Sequence, residues 1–142
     1  MHIEINDDKS LREIQLVFSN FYPYLQIRFF SNPHKEYEIS KDIDEIDSHT
    51  TVGAVKKTHV SGLLEIQPLY RVSEVENEFR ERFGLSIQIL RKEKDAWVQT
   101  VGADDFTLKE LNEMGRNSSD ATIVSDYEKG FDEPEDKPVK LY

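Results

Sequence analysis

A chain of 142 residues with a formal charge of −10, 37% hydrophobic and 32% charged, holds enough apolar residues for one core of ordinary size. Its acidity argues against a nucleic-acid backbone as partner, since neutralising phosphates requires concentrated Lys and Arg. The absence of Cys excludes disulfides, thiolate metal sites and a thiol nucleophile. No basic start followed by an apolar run opens the chain, and no segment approaches the roughly 20 apolar residues of a membrane span, so no membrane and a cytoplasmic location are expected.

In chain order, strict alternation in "HIEIN" predicts a strand with Ile3 and Ile5 on one face. "SLREIQLVFSNF" repeats apolar groups at Leu11, Ile14, Val17, Phe18 and Phe21, the spacing of an amphipathic helix that Pro23 closes. "YLQIRFF" returns to period two with Leu25, Ile27 and Phe29 inward. From 31 to 61 runs a long polar connection in which "TVGAVKKTH" predicts one short helix. "GLLEIQ" is a third strand, and "VSEVENEFRERF" a second long helix with Val72, Val75, Phe79 and Phe83 on one side, stopped by Gly84. "LSIQILR" is a fourth strand, "KEKD" a tight turn, "AWVQTV" a fifth strand antiparallel to the fourth, and "TLKELNEM" a last helix ending near Gly115.

Two regularities organise this order. The stretch from Ile3 to Phe30 lines up with that from Leu64 to Leu90: Ile3 and Ile5 fall against Leu64 and Ile66, Phe18 against Phe79, and, after one extra residue, Leu25 and Ile27 against Ile87 and Ile89. The aligned positions are apolar, whereas Asn6, Asp7 and Asp8 fall against Gln67, Pro68 and Leu69, so a scaffold repeats and a reactive site does not. The helix starts "SLREI", "TVGAV", "RVSEV" and "TLKEL" also share a form. In three of them a hydroxyl can cap the first turn, and Ser10–Glu13 and Thr107–Glu110 have capping-box spacing. Arg71 cannot cap in this way.

Residues 1–115 are therefore expected to form a single α+β domain. The segment 116–142, with seven acidic residues and three lysines from Asn117 onward, reads as an acidic, disordered tail carrying Tyr127 and Phe131 as spaced apolar points. Two β-α-β units resemble the ferredoxin-like plan, a two-layer sandwich, with an inserted short helix, an extra hairpin strand and a last helix. Right-handed crossovers would place both long helices on one face. A ubiquitin-like β-grasp is the alternative, although the chain begins β-α. In RNA-binding versions of the ferredoxin-like plan the central strands carry aromatic and basic residues; here those positions read Glu, Gln and Ser, so nucleic acid is not an expected partner.

Reactive motifs are scarce. "KDIDEIDSH" gathers Asp42, Asp44, Asp47 and His49, but it lacks the central Gly and distant Glu of a calcium loop and reads as a solvated acidic loop. His2, His34, His49 and His59 fall in no local signature. No phosphate-cradling glycine pattern or nucleophile elbow occurs, so no cofactor, metal or catalytic residue is assigned. The sheet face turned from the helices is expected to be wet, with Arg28, Phe30, Leu90 and Trp97 forming a partner-binding patch. A noncatalytic protein-interaction or adaptor domain, binding by that face or by the tail, is the expected function. The alternative is a small enzyme or ligand-binding domain with a carboxylate or His site in the 31–61 connection.

Overall fold

The computed structural model describes residues 1–31, 44–56, 59, 61–99 and 102–119. The fold is α+β, with two antiparallel sheets and four helices in a mixed two-layer arrangement. The strands are β1 (His2–Asn6), β2 (Leu25–Phe30), β3 (Ser61–Glu65), β4 (Ser86–Glu93) and β5 (Ala96–Val98). The helices are α1 (Leu11–Phe21), α2 (Val52–Val55), α3 (Val72–Phe83) and α4 (Leu108–Asn117), with a 3-10 turn at Ala103–Asp105 before α4. No helix among the described residues is long and apolar enough to cross a membrane.

Local chemistry sets the element boundaries. Ser10 and Thr107 each accept a bond from the backbone N–H three residues on, and Glu13 and Glu110 return the bond to the cap N–H at 3.0 and 2.9 Å. Those return bonds hold both carboxyl groups below the usual carboxylate range; Ser10 is the main cause for Glu13 and Thr107 for Glu110. Thr51 caps α2 through Ala54 N–H. At Arg71 only the return half of the box forms, from Arg71 N–H to Glu74 Oε1 at 2.8 Å, because a guanidinium has no acceptor to offer. Gly84 ends α3 at φ 64°; the Gly84 N–H reaches Arg80 O and the Leu85 N–H reaches Phe79 O, the paired bonds of a Schellman stop.

The sheet order departs from the ferredoxin-like plan. That plan puts the third strand between the first two. Here β1 pairs with β3 as a two-stranded sheet, and β2 pairs with β4 in a second sheet of order β2-β4-β5. Period-two patterning selects the buried face of a strand but leaves its neighbour open, so both arrangements satisfy the same sequence.

The register exposes a pseudo-twofold relation. Ile3 pairs with its own repeat counterpart Leu64, and Ile27 with its counterpart Ile89. On either side of Ile27 the pairs exchange: Leu25 lies opposite Arg91 and Phe29 opposite Ile87, as an isologous contact between two copies requires. The relation continues where the sequence alignment stops. Residues 44–46 pair with the end of β2 through the Phe30–Glu45 bridge, as β5 pairs with the end of β4 through Lys92–Trp97. Ser10 bridges Thr51 as Arg71 bridges Thr107. The N–H groups of Leu11 and Val52 donate to Thr50 O and Lys9 O, and those of Val72 and Leu108 repeat this toward Phe106 O and Tyr70 O. Each copy is thus β-α-β, a short edge strand and a helix, with α2 the counterpart of α4.

One continuous core joins the copies, from Ile3 and Ile5 through Phe18, Ile27 and Phe79 to Leu108 and Leu111. Two details differ from the sequence reading. β5 is only three residues long, reached by a turn in which Lys94 takes the left-handed region at φ 55°. The Lys94 N–H is held there by Ser118 O at 2.9 Å. α4 runs through Gly115 to Asn117, so Gly115 is an interior helix position and not a stop.

Candidate functional site

The sheet face expected to be wet is largely closed at its apolar points. Phe30 is 3% and Leu90 2% exposed, while Arg28 and Trp97 are half-buried. Leu90 sits opposite Gln26 and diagonal to Trp97, whose long side chains share its face. Arg28 Nε donates to Gln26 Oε1 at 2.9 Å and its guanidinium lies 3.8 Å from Glu45, and Lys92 Nζ stands 5.9 Å from the centre of the Trp97 ring. The four residues share that face in a diagonal run: Arg28 lies diagonal to Leu90 and Leu90 to Trp97, with Phe30 two residues beyond Arg28 on β2, at the end facing the start of β4. Tyr127 and Phe131 fall outside the described residues.

The connection from 31 to 61 holds a different kind of feature. Asp44 and Asp47 serve as backbone anchors: Asp44 O accepts from Ser31 N–H, and Asp47 Oδ1 accepts from His49 N–H. No group of three or more His, Asp or Glu able to hold a metal ion occurs among the described residues; Asp42 and His34 lie outside them. His2 stands 3.8 Å from the facing Glu65, and the exposed His59 bonds Asp7, a contact that raises its pKa through the hydrogen bond first and attraction second.

Where β2 ends and β4 begins, a cleft of about 230 Å³ opens. Phe29, Phe30 and Ile46 form one wall, and Leu85 and Val55 extend the apolar lining. Lys56, Gly84, Ser31 and Ser86 supply the polar part. The Lys56 ammonium occupies the space a Cβ on Gly84 would need, beside the last turn of α3, where unpaired carbonyls favour a cation. Lys56 forms no ion pair among the described residues, which leaves its charge available to the cleft.

The other copy shows what the same place looks like when covered. There α4 runs on past the position where α2 ends. Its Asn112 Oδ1 accepts from Tyr24 N–H at 3.0 Å, and the Ser118 hydroxyl reaches Lys92 O at 3.1 Å. Gly115 lies so close to Tyr24 that a Cβ would stand 2.7 Å from the Tyr24 Cβ. Lys92 is the counterpart of Phe30, Val98 of Ile46, Leu111 of Val55 and Asn112 of Lys56. The cleft is the corresponding end of the first copy, where α2 is a single turn.

The sequence reading missed Ile46, Lys56, Gly84 and Ser86 as a group. A signal was present: "TVGAVK" and "TLKELNEMGRN" begin alike and differ in helical length. Elsewhere Leu16 and Val17 stand exposed on α1, where their α3 counterparts are Asn77 and Glu78. Exposed apolar residues in small number are ordinary, and these two do not line the cleft. No protein-family model, curated protein or solved structure matches the chain.

Proposed function

We propose that the chain is a noncatalytic interaction module that engages another protein through the cleft between the end of β2 and the start of β4. The observation that carries this reading is the cleft's make-up: apolar side chains beside the Lys56 ammonium, which has no ion pair among the described residues, at a sheet end whose counterpart lies under a helix. Recognition sites combine apolar walls with a few fixed polar groups, and these walls stand on strand ends that the core holds rigid. Phe30 belongs to the wall and Arg28 shares its strand, so the cleft takes in one residue of the anticipated patch and adjoins another. The acidic segment, with Tyr127 and Phe131, would supply a second, looser contact.

Site-specific photo-crosslinking tests the reading. A benzophenone side chain placed at Ser86 in the full chain is expected to form an adduct with a defined protein in native extract. The same group at the exposed Asn77 of α3 should form none, and filling the cleft by Ser31→Trp should abolish the Ser86 adduct. Identical adducts at Ser86 and Asn77, or an adduct that survives the filled cleft, would overturn it.

A further inference from the structure

We infer that the surface joining the two halves of the chain is a binding surface in its own right, and that its partner in trans is the complementary half of a second molecule of this chain. The strand pairing carries this. β1 and β2 of the first copy lie in different sheets, and so do β3 and β4 of the second. Among the described residues β1 pairs with β3 alone, and β2 pairs with β4 along its whole length. Neither half therefore satisfies its long strands from within, and buried backbone groups left unpaired are costly. The side chains agree: buried Ile3 faces Leu64, buried Ile27 faces Ile89, and the Phe29 ring meets that of Phe79 across the same boundary.

The main chain passes from one half to the other once, between Lys56 at the end of α2 and Ser61 at the start of β3. If two molecules trade their second halves, every ladder and core contact just named is kept and only the course of that connection differs, which makes exchange a low-cost route to a twofold dimer. The closed single chain prevails in dilute solution because the connection holds its own halves at an effective concentration on the order of 1 mM. The cleft is affected directly. Phe30, Ile46 and Lys56 belong to the first half and Leu85 and Ser86 to the second, so in the exchanged dimer each of two clefts takes its walls from both molecules.

The first test inserts a protease recognition sequence between Lys56 and Ser61 of the full chain and cuts it after folding. The cut protein is expected to keep the size of the whole chain and a dispersed amide spectrum, with the halves held at a dissociation constant no weaker than about 10 μM. Its urea midpoint should rise with protein concentration, unlike that of the uncut chain, and unfolding and refolding it with an isotope-labelled cut sample should yield hybrids. Halves that separate or lose dispersion on cutting, or a refolded mixture without hybrids, would overturn the inference.

A second test needs no insertion. Met1 and Ile66 exchange both backbone bonds, at 2.9 and 2.8 Å. The next pair, His2 and Glu65, is therefore a non-hydrogen-bonded one with Cα atoms about 4.5 Å apart, within disulfide reach. Both residues are exposed and the chain has no Cys. His2→Cys and Glu65→Cys chains, unfolded together and refolded at about 1 mM, should give at least tenfold more mixed disulfide dimer than His2→Cys refolded with Glu81→Cys, an exposed position on α3 that does not face His2. Equal yields from the two mixtures would contradict exchange through the observed register. Neither test involves a ligand of the cleft, so the interaction reading stands or falls separately.

Discussion

Phe79→Ala is expected to cost about 3–5 kcal/mol of folding stability, the range for truncating a fully buried aromatic ring in a core that cannot collapse around the void. Phe79 is fully buried on α3, and its ring meets that of Phe29 edge to face, centroids 6.0 Å apart at 77°. The contact ties the helix of one copy to the strand of the other, so relaxation would have to move both. Phe18, its counterpart on α1, is equally buried and packs against Tyr22 at 5.2 Å. Phe18→Ala should therefore fall in the same range, and urea unfolding of the two variants measures both. A loss below about 1 kcal/mol at either position would mean that the ring is not in a packed interior.

Gly115→Ala is expected to destabilise by about 1–3 kcal/mol, although Ala is the better helix former by nearly 1 kcal/mol. Gly115 lies inside α4, and its φ is not in the left-handed region, so backbone freedom is not its purpose. A Cβ there would stand 2.7 Å from Tyr24 Cβ and 3.0 Å from Tyr24 O, both fixed to backbone that cannot swing aside. Relief would require α4 to move outward. That movement would lengthen the Tyr24 N–H to Asn112 Oδ1 bond and leave a buried donor without its acceptor. Thermal unfolding decides the sign: a raised melting temperature would show that helix propensity outweighs the clash and that α4 is not pressed against Tyr24.

Much of the local structure was legible in the residues. Alternation at Ile3 and Ile5, helical spacing at Leu11, Ile14 and Phe18, the hydroxyl caps at Ser10, Thr51 and Thr107 and the stop at Gly84 all act within a few positions of themselves, and each element stands where those signals put it. The repeat was visible as paired core positions. What local signals leave undetermined is which strands become neighbours, since alternation reports a face and not a partner. Gly115 misled for a related reason: glycine after a periodic run resembles a stop, and only the proximity of Tyr24, far away in sequence, shows that it permits close packing.

The site was less legible still, for the same physical reason. Phe30 is apolar at an outward position and was read as a wet anchor; the fold buries it in the wall of a cleft. Ser86 and Gly84 meet Lys56 and Ile46 only because β2 lies beside β4. Lys56 looks like any surface lysine until α3 ends beneath its ammonium.

The pairing of β2 with β4 therefore supports everything proposed: the pseudo-twofold relation, the correspondence of α2 with α4, and the cleft. Cross-strand backbone nuclear Overhauser effects test it directly. The account predicts contacts that run in antiparallel order from Leu25–Arg91 through Ile27–Ile89 to Phe30–Ser86. Contacts from residues 25–30 to 61–65 in their place would put β3 beside β2, remove Ser86 from Phe30, and contradict the account.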